Sequence, residues 1–353
     1  MSGNVATDDV SDNVHVPMED NVVFVVGSPR SGSTMLARMI SSHSVIYGRP
    51  EPHLMTPLAH LGYFANVDKA PFDHVLAAES TKEFVADLPG GEQDYIDACR
   101  AYSDLLYSRM LSTKSGKRYF LDKTPAYGLI LGFLEKIYPN AKYVVLTRHP
   151  LAVFSSFAES FFDSDYQAAH AYNPIIERYV PAIAKFLRER RVPIFHVVYE
   201  KLVSDPEPML KGIFEFLGVP HESSAVDYGK HAHEAKGLGD PIGVAKHSRP
   251  STGSIDKWAI EIVSDPRRLQ LCKQIIERLD PADLETWGHP LEGLWAPLER
   301  AGATGAVSKP KKLDRYRLER KAIVALRAQV SRHDSLRRLL QRLRLATDVL
   351  LRE

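Results

Sequence analysis

The run Gly27-Ser28-Pro29-Arg30-Ser31-Gly32-Ser33-Thr34 follows five apolar residues, Val22–Val26, and precedes a helical pattern over Thr34–Ser42. A loop between a buried strand and a helix turns backbone N–H groups and the positive helix end onto an anion. Its spacing is close to the nucleoside-triphosphate loop G-x-x-x-x-G-K-[ST]. Gly27, Gly32 and Thr34 fit, but Ser33 stands where the lysine belongs, and the basic residue is Arg30 at the apex. A kinase or NTPase needs that lysine on its β- and γ-phosphates and its Ser/Thr on Mg²⁺. A less highly charged anion can be held without a metal, by amides, hydroxyls and one cation. Arg30 would then face an oxygen that gains charge as a bond breaks.

Two further segments add chemistry. In Tyr143–Phe157 (YVVLTRHPLAVFSSF) a strand-like run ends at Arg148, Pro150 opens a helix, and Ser156 follows eight residues after the arginine. A planar guanidinium can pair with two phosphate oxygens at once, and a strand-end arginine can equally form a surface ion pair. In Gly48-Arg49-Pro50-Glu51-Pro52-His53 there are two groups able to take a proton from a hydroxyl. Glu51 is the first candidate and His53 the competing one, since an imidazole titrates near neutrality. Lys123, in Leu121-Asp122-Lys123-Thr124-Pro125, ends another short strand, where an open parallel sheet places its ligand crevice.

With these motifs in this order, residues 21–258 resemble the sulfotransferases that use 3′-phosphoadenosine 5′-phosphosulfate (PAPS) and release the bisphosphate PAP. The resemblance is to the bacterial type, with features of the tyrosylprotein sulfotransferases. It implies that Gly27–Thr34 hold the phosphosulfate and that Arg148 and Ser156 hold the 3′-phosphate. It further implies that Glu51 is the base, that Lys123 lies on the transferred sulfuryl group, and that no metal takes part. Cytosolic animal sulfotransferases use a histidine base, which keeps His53 open. The resemblance also puts Tyr199 near the adenine and Lys246–Trp258 in the place of a late nucleotide-binding loop. There the animal enzymes carry Arg-Lys-Gly and this chain has Ser251-Thr252-Gly253, with Arg249 or Lys246 as substitutes. Met35 stands where those enzymes have a Trp on the adenine. The rival readings are a degenerate kinase or NTPase, against which Ser33 argues, and a non-catalytic nucleotide-binding scaffold.

The elements that must position these groups follow from apolar patterning. Val22–Val26, Tyr119–Leu121, Tyr143–Leu146 and Ile194–Val198 are β-rich, and three of them are nearly continuous in apolar residues, as strands covered on both faces are. Helical patterns separate them: Thr34–Ser42, Tyr95–Leu111, Tyr127–Ile137, Ala152–Phe162, Ile175–Arg190, and one opened by Asp205-Pro206 and stopped near Gly218. The alternation predicts an α/β fold, a P-loop-like parallel sheet flanked by helices, with a basic helical extension at the C-terminus. The expected organisation is a disordered leader at 1–20, one catalytic domain at 21–296, a linker at 297–312 and a basic amphipathic tail at 313–353.

Of the 353 residues, 44% are hydrophobic and 25% charged, an ordinary globular balance. Cys99 and Cys272 fit no disulfide framework or metal spacing, and no apolar run reaches membrane-span length, so the expected location is cytoplasmic. His231-Ala232-His233-Glu234 offers H-x-H-E spacing without a third ligand and is expected to be a solvated loop. Residues 309–353 carry 14 Lys or Arg against 5 Asp or Glu, so a net +9 tail follows a body of −8, which gives that body no general case for binding nucleic acid. Leu336, Leu339, Leu340, Leu343 and Leu350 form an apolar stripe among Arg337, Arg338, Arg342 and Arg344. Such a helix can lie on an anionic membrane, pack on its own domain or self-associate. The acceptor hydroxyl is of unknown class. Aromatics in 54–118 and 159–192 (Phe64, Phe72, Phe161, Phe162, Tyr166, Tyr172) hint at an apolar one.

Overall fold

Strand β1, Val22–Gly27, is buried at all six positions, with Val22, Phe24 and Val26 in one apolar cluster and Val23 and Val25 in another. That division explains its unbroken apolar sequence: successive side chains point to opposite faces, and both faces are covered. The computed structural model describes residues 17–61, 63–64, 74–231 and 248–303, with Ser335 and Leu339 as isolated positions beyond. Within it β2 (Ile46–Pro50), β3 (Tyr119–Lys123), β4 (Lys142–Thr147) and β5 (Ile194–Val198) complete a five-stranded sheet ordered β2-β3-β1-β4-β5. Every pairing is parallel, with Val23 opposite Leu121 on one side of β1 and Val25 opposite Val144 on the other. Helices Glu92–Ser112, Leu131–Ile137, Pro150–Phe162 and Ile175–Glu189 contribute to the first cluster, and Ser33–Ser41 and Pro206–Leu217 to the second. This is the expected α/β fold.

The order matters for function. After β1 the chain runs out to the β2 edge, returns to β3, and crosses to β4 on the far side. The connections diverge at the carboxyl ends of β1 and β4, which opens a crevice there.

The differences from the sequence reading have local causes. β2 was not expected, because IYGRP is short and ends in Gly, Arg and Pro; at the edge of the sheet, a terminal proline breaks no ladder. The helical pattern Tyr127–Ile137 is split into a 3₁₀ turn, Pro125–Leu129, and a helix, Leu131–Ile137. The turn lays Gly128 against the Tyr179 ring, where an added Cβ would come within 2.9 Å. The Pro206–Leu217 helix ends at Gly218 in the left-handed region (φ +74°), as expected, although Asp205 makes no side-chain cap bond. The packed domain also extends past both assigned boundaries. Met18 is buried beside a 3₁₀ turn at Glu19–Asn21, and the helix Ala296–Ala303 buries Leu298 and Ala301, so the linker cannot begin at 297. The leader before residue 17, the tail stripe apart from Leu339, and residues 232–234 of the histidine cluster lie outside the described residues. Cys99 and Cys272 are buried thiols outside any disulfide. Among the described residues no helix is long and apolar enough to cross a membrane, and no group of His, Cys, Asp and Glu has metal-holding geometry.

Candidate active site

The loop after β1 bends through two left-handed residues, Arg30 (φ +68°) and Gly32 (φ +97°), before the Ser33–Ser41 helix starts. Gly32 has no room for a side chain, since a Cβ there would lie 2.6 Å from Tyr199 Cε2. Gly27 is equally tight, 2.8 Å from Ser31 Oγ and 2.9 Å from the Leu146 carbonyl. The hydroxyls of Ser28 and Ser31 are buried without a hydrogen-bond partner among the described residues. Buried hydroxyls left unpaired in a glycine-shaped loop at a helix N-terminus suit an anionic group. Position 33 lacks a lysine, and a lysine from another strand reaches the start of the helix. Lys123, at the end of β3 and 2% exposed, donates from Nζ to Thr34 Oγ1 at 3.2 Å, in the first turn of the helix.

On the β4 side of the loop, Arg148 and Ser156 come together with Arg30. Arg30 Nε donates to Ser156 Oγ at 3.1 Å, and Arg148 Nη1 donates to the Arg30 carbonyl at 3.2 Å. The Arg148 guanidinium lies 4.3 Å from the centre of the Tyr199 ring. Tyr199 is therefore a wedge between the loop and this arginine as well as a wall of the cleft. Burial lowers the Arg148 pKa; Tyr199 and Glu200 oppose that, and the nearby Arg30 adds to it. Two converging guanidiniums with one desolvated make a strong anion site. Its backbone is fixed from behind: Trp287 Nε1 donates to the Arg148 carbonyl at 2.8 Å, and the His149 N–H donates to Glu200 Oε1 at 3.0 Å.

On the β3 side stand the candidate bases. Lys123 Nζ is 2.6 Å from Glu51 Oε1, and His53 Nε2 is 3.6 Å from Glu51 Oε2. Glu51 (φ +23°) and His53 (φ +54°) both have left-handed backbone, which costs free energy and persists only where surroundings enforce it. The enforcing structure is a buried network under the segment. Tyr107 and Tyr127 donate to Asp122 Oδ2 at 2.6 and 3.0 Å. Tyr127 Oη in turn accepts from the Met55 N–H at 3.0 Å, and Thr124 Oγ1 accepts from the His53 N–H at 3.3 Å. Burial raises the Asp122 carboxyl to about 6, against the opposing effect of these hydrogen bonds.

A cleft of about 690 Å³ joins both sides. Pro29, Arg30, Gly32, Ser33, Thr34, Glu51, His53, Arg148, Ser156 and Tyr199 line it, as does Met35. Gly27, Ser28, Ser31 and Lys123 are buried and do not line it. Arg249, Ser251, Thr252 and Gly253 are not brought to the cleft. Arg249 Nε is paired with Asp227 Oδ1 at 2.7 Å, and Ser251 accepts from the Gly253 N–H to start a 3₁₀ turn. Lys246 lies outside the described residues, and among the described residues of 246–258 the cation that lines the cleft is Lys257, beside Trp258. Its only sequence signal was its place in that segment. Of the aromatics, Phe162 and Tyr166 are core, Phe64 packs on Phe133 and Tyr95, Tyr172 is exposed against Phe162, and Phe161 lines the cleft. Phe72 lies outside the described residues.

A model of the sulfotransferase family matches residues 22–223, more than half of the chain, and the chain belongs to that family. The match takes in the loop, Glu51, Lys123, Arg148, Ser156 and Tyr199, and ends before Arg249. The nodulation protein NoeE of Sinorhizobium fredii is 36% identical over 141 residues, 40% of this chain and 32% of that protein. The protein-tyrosine sulfotransferase 1 of Danio rerio is 21% identical over 76% of this chain and 75% of its own length. The sulfotransferase domain of a Synechococcus olefin synthase is 25% identical, with a TM-score of 0.45 over 73% of this chain and 95% of that one. The chain spans about a third of the length of the first two curated relatives it matches.

Proposed function

We propose that this chain moves a sulfuryl group from PAPS to an acceptor hydroxyl. The observation that supports it most is the division of one cleft about one loop, with two guanidiniums and Ser156 toward β4 and the Lys123–Glu51 pair toward β3. A donor with a 5′-phosphosulfate and a separate 3′-phosphate needs an anion site at each end, and the unpaired Ser28 and Ser31 hydroxyls suit the loop to the first. PAPS, when bound, supplies a sulfuryl group joined to a bisphosphate leaving group.

The residues divide the work. Arg148 and Ser156 hold the 3′-phosphate, the loop amides hold the 5′ end, and Arg30 at the loop apex faces the oxygen that gains charge as the bond breaks. Glu51 accepts the proton of the attacking hydroxyl, with His53 beside it as the outer group. Lys123, between Glu51 and Thr34, supplies positive charge where negative charge grows. Thermal-shift titration with PAP, ADP and ATP-Mg²⁺ tests the reading. Selective stabilisation by PAP is expected. A preference for ATP-Mg²⁺ would make the chain an NTPase or kinase, and PAP binding without turnover of PAPS would make it a scaffold.

A further inference from the structure

The cleft does not end at Glu51. His53 lines it and also lines a second cavity of about 570 Å³, between the Met55–Ala59 helix and the Glu92–Ser112 helix. Leu54, Pro57, Leu58, Leu61, Tyr95 and Tyr102 wall this groove, and none of its lining side chains carries a fixed charge. Leu61 is 57% exposed and Tyr102 52% exposed at its edge. Large apolar side chains left in water around an apolar hollow mark a place where an apolar ligand settles.

The position of the groove in the fold gives it a role. The guanidinium pair and Ser156 stand toward β4, so a donor gripped there extends from β1 in that direction. In-line displacement brings the attacking oxygen from the side opposite the leaving group. That side is the β3 and β2 edge, where Lys123 and Glu51 follow their strands and where His53 opens into the groove. The geometry points to this groove as the seat of the acceptor's body: the acceptor is an alcohol or phenol carried on an alkyl or aryl group, not a sugar or a charged peptide. This rests on the donor reading above. In the transfer the acceptor oxygen bonds to sulfur, the sulfur–oxygen bond to the bisphosphate breaks, and the hydroxyl proton passes to Glu51.

Straight-chain primary alcohols from ethanol to decanol, with PAPS and the full chain, test it. Each methylene buried in the groove is expected to raise kcat/KM about fourfold until the groove is filled. Ala98→Glu, at an exposed helix position lining the groove, is expected to cut the advantage of decanol over ethanol at least tenfold, with PAP affinity by calorimetry showing that the fold stands. A flat alcohol series, or glucose turned over as well as decanol, while PAP binds, overturns the acceptor assignment alone. Failure to bind PAP overturns the donor reading and this inference with it.

Discussion

Glu51 and Arg148 are both polar residues at strand ends, yet their environments assign them opposite duties. Arg148 is held against Tyr199 and bonded to the loop, on the β4 side of the cleft. Arg148→Ala is therefore expected to weaken PAP binding by about 2–3 kcal/mol, the worth of a charge-assisted pair, and to change turnover of bound donor little. Calorimetry giving an unchanged PAP affinity in the folded variant would refute that role. Glu51→Gln keeps size but not basicity, so kcat should fall about 10²–10⁴-fold with PAP affinity nearly intact. If Glu51→Gln stays active while His53→Ala is dead, the base is His53. At this scale the sequence showed which groups are present, because the motifs are local. It did not show that Lys123 reaches Thr34 at the start of the helix, since that contact joins residues 89 apart. Nor did it show that Arg249 is spent on Asp227, an ion pair written nowhere in the local pattern.

Among the elements, the two-face burial of β1 made the sheet core legible, while edge strand β2 was hidden by its short, Pro-ended sequence. β2 is nonetheless the strand that delivers Glu51, and its partner β3 delivers Lys123, with Pro50 in register with Lys123. The loop between β1 and its helix depends on one glycine. Gly32→Ala must adopt φ near +97° and place a methyl 2.6 Å from the Tyr199 ring. The left-handed backbone alone costs about 1–2 kcal/mol, and the clash adds to it. The variant is expected to melt several degrees lower and to lose PAP affinity. Adding Tyr199→Ala should restore part of the melting temperature but not the affinity, because Tyr199 also stacks on Arg148. Melting and PAP binding equal to the parent would show that the loop is not the rigid cradle described.

For the molecule as a whole, buried titratable groups of opposite sign shape stability against pH. Burial, and then the neighbouring His289, lowers His149 to about 3. Burial, with Arg190, Lys201 and His289 adding to it, lowers His196 to about 4. The unfolded chain protonates these histidines near 6.5 while the folded one keeps them neutral. Their contribution is therefore fully present above about pH 6.5 and is lost as the pH falls through about 4 for His196 and about 3 for His149. Asp122 acts the other way. Its buried carboxyl titrates at about 6 when folded, against about 4 when unfolded, so its contribution is present below about pH 4 and is lost as the pH rises through 6. A shift of about two units is worth on the order of 3 kcal/mol, enough for the carboxyl to offset much of one histidine between pH 4 and 6. Asp122→Asn removes the opposing group, so its melting temperature should fall more steeply than the parent's between pH 6.5 and 4. His196→Gln removes one histidine and should make the same fall shallower. Differential scanning fluorimetry across pH 4–8 measures both slopes; parallel curves for the parent and Asp122→Asn would show that the carboxyl titrates alike in both states.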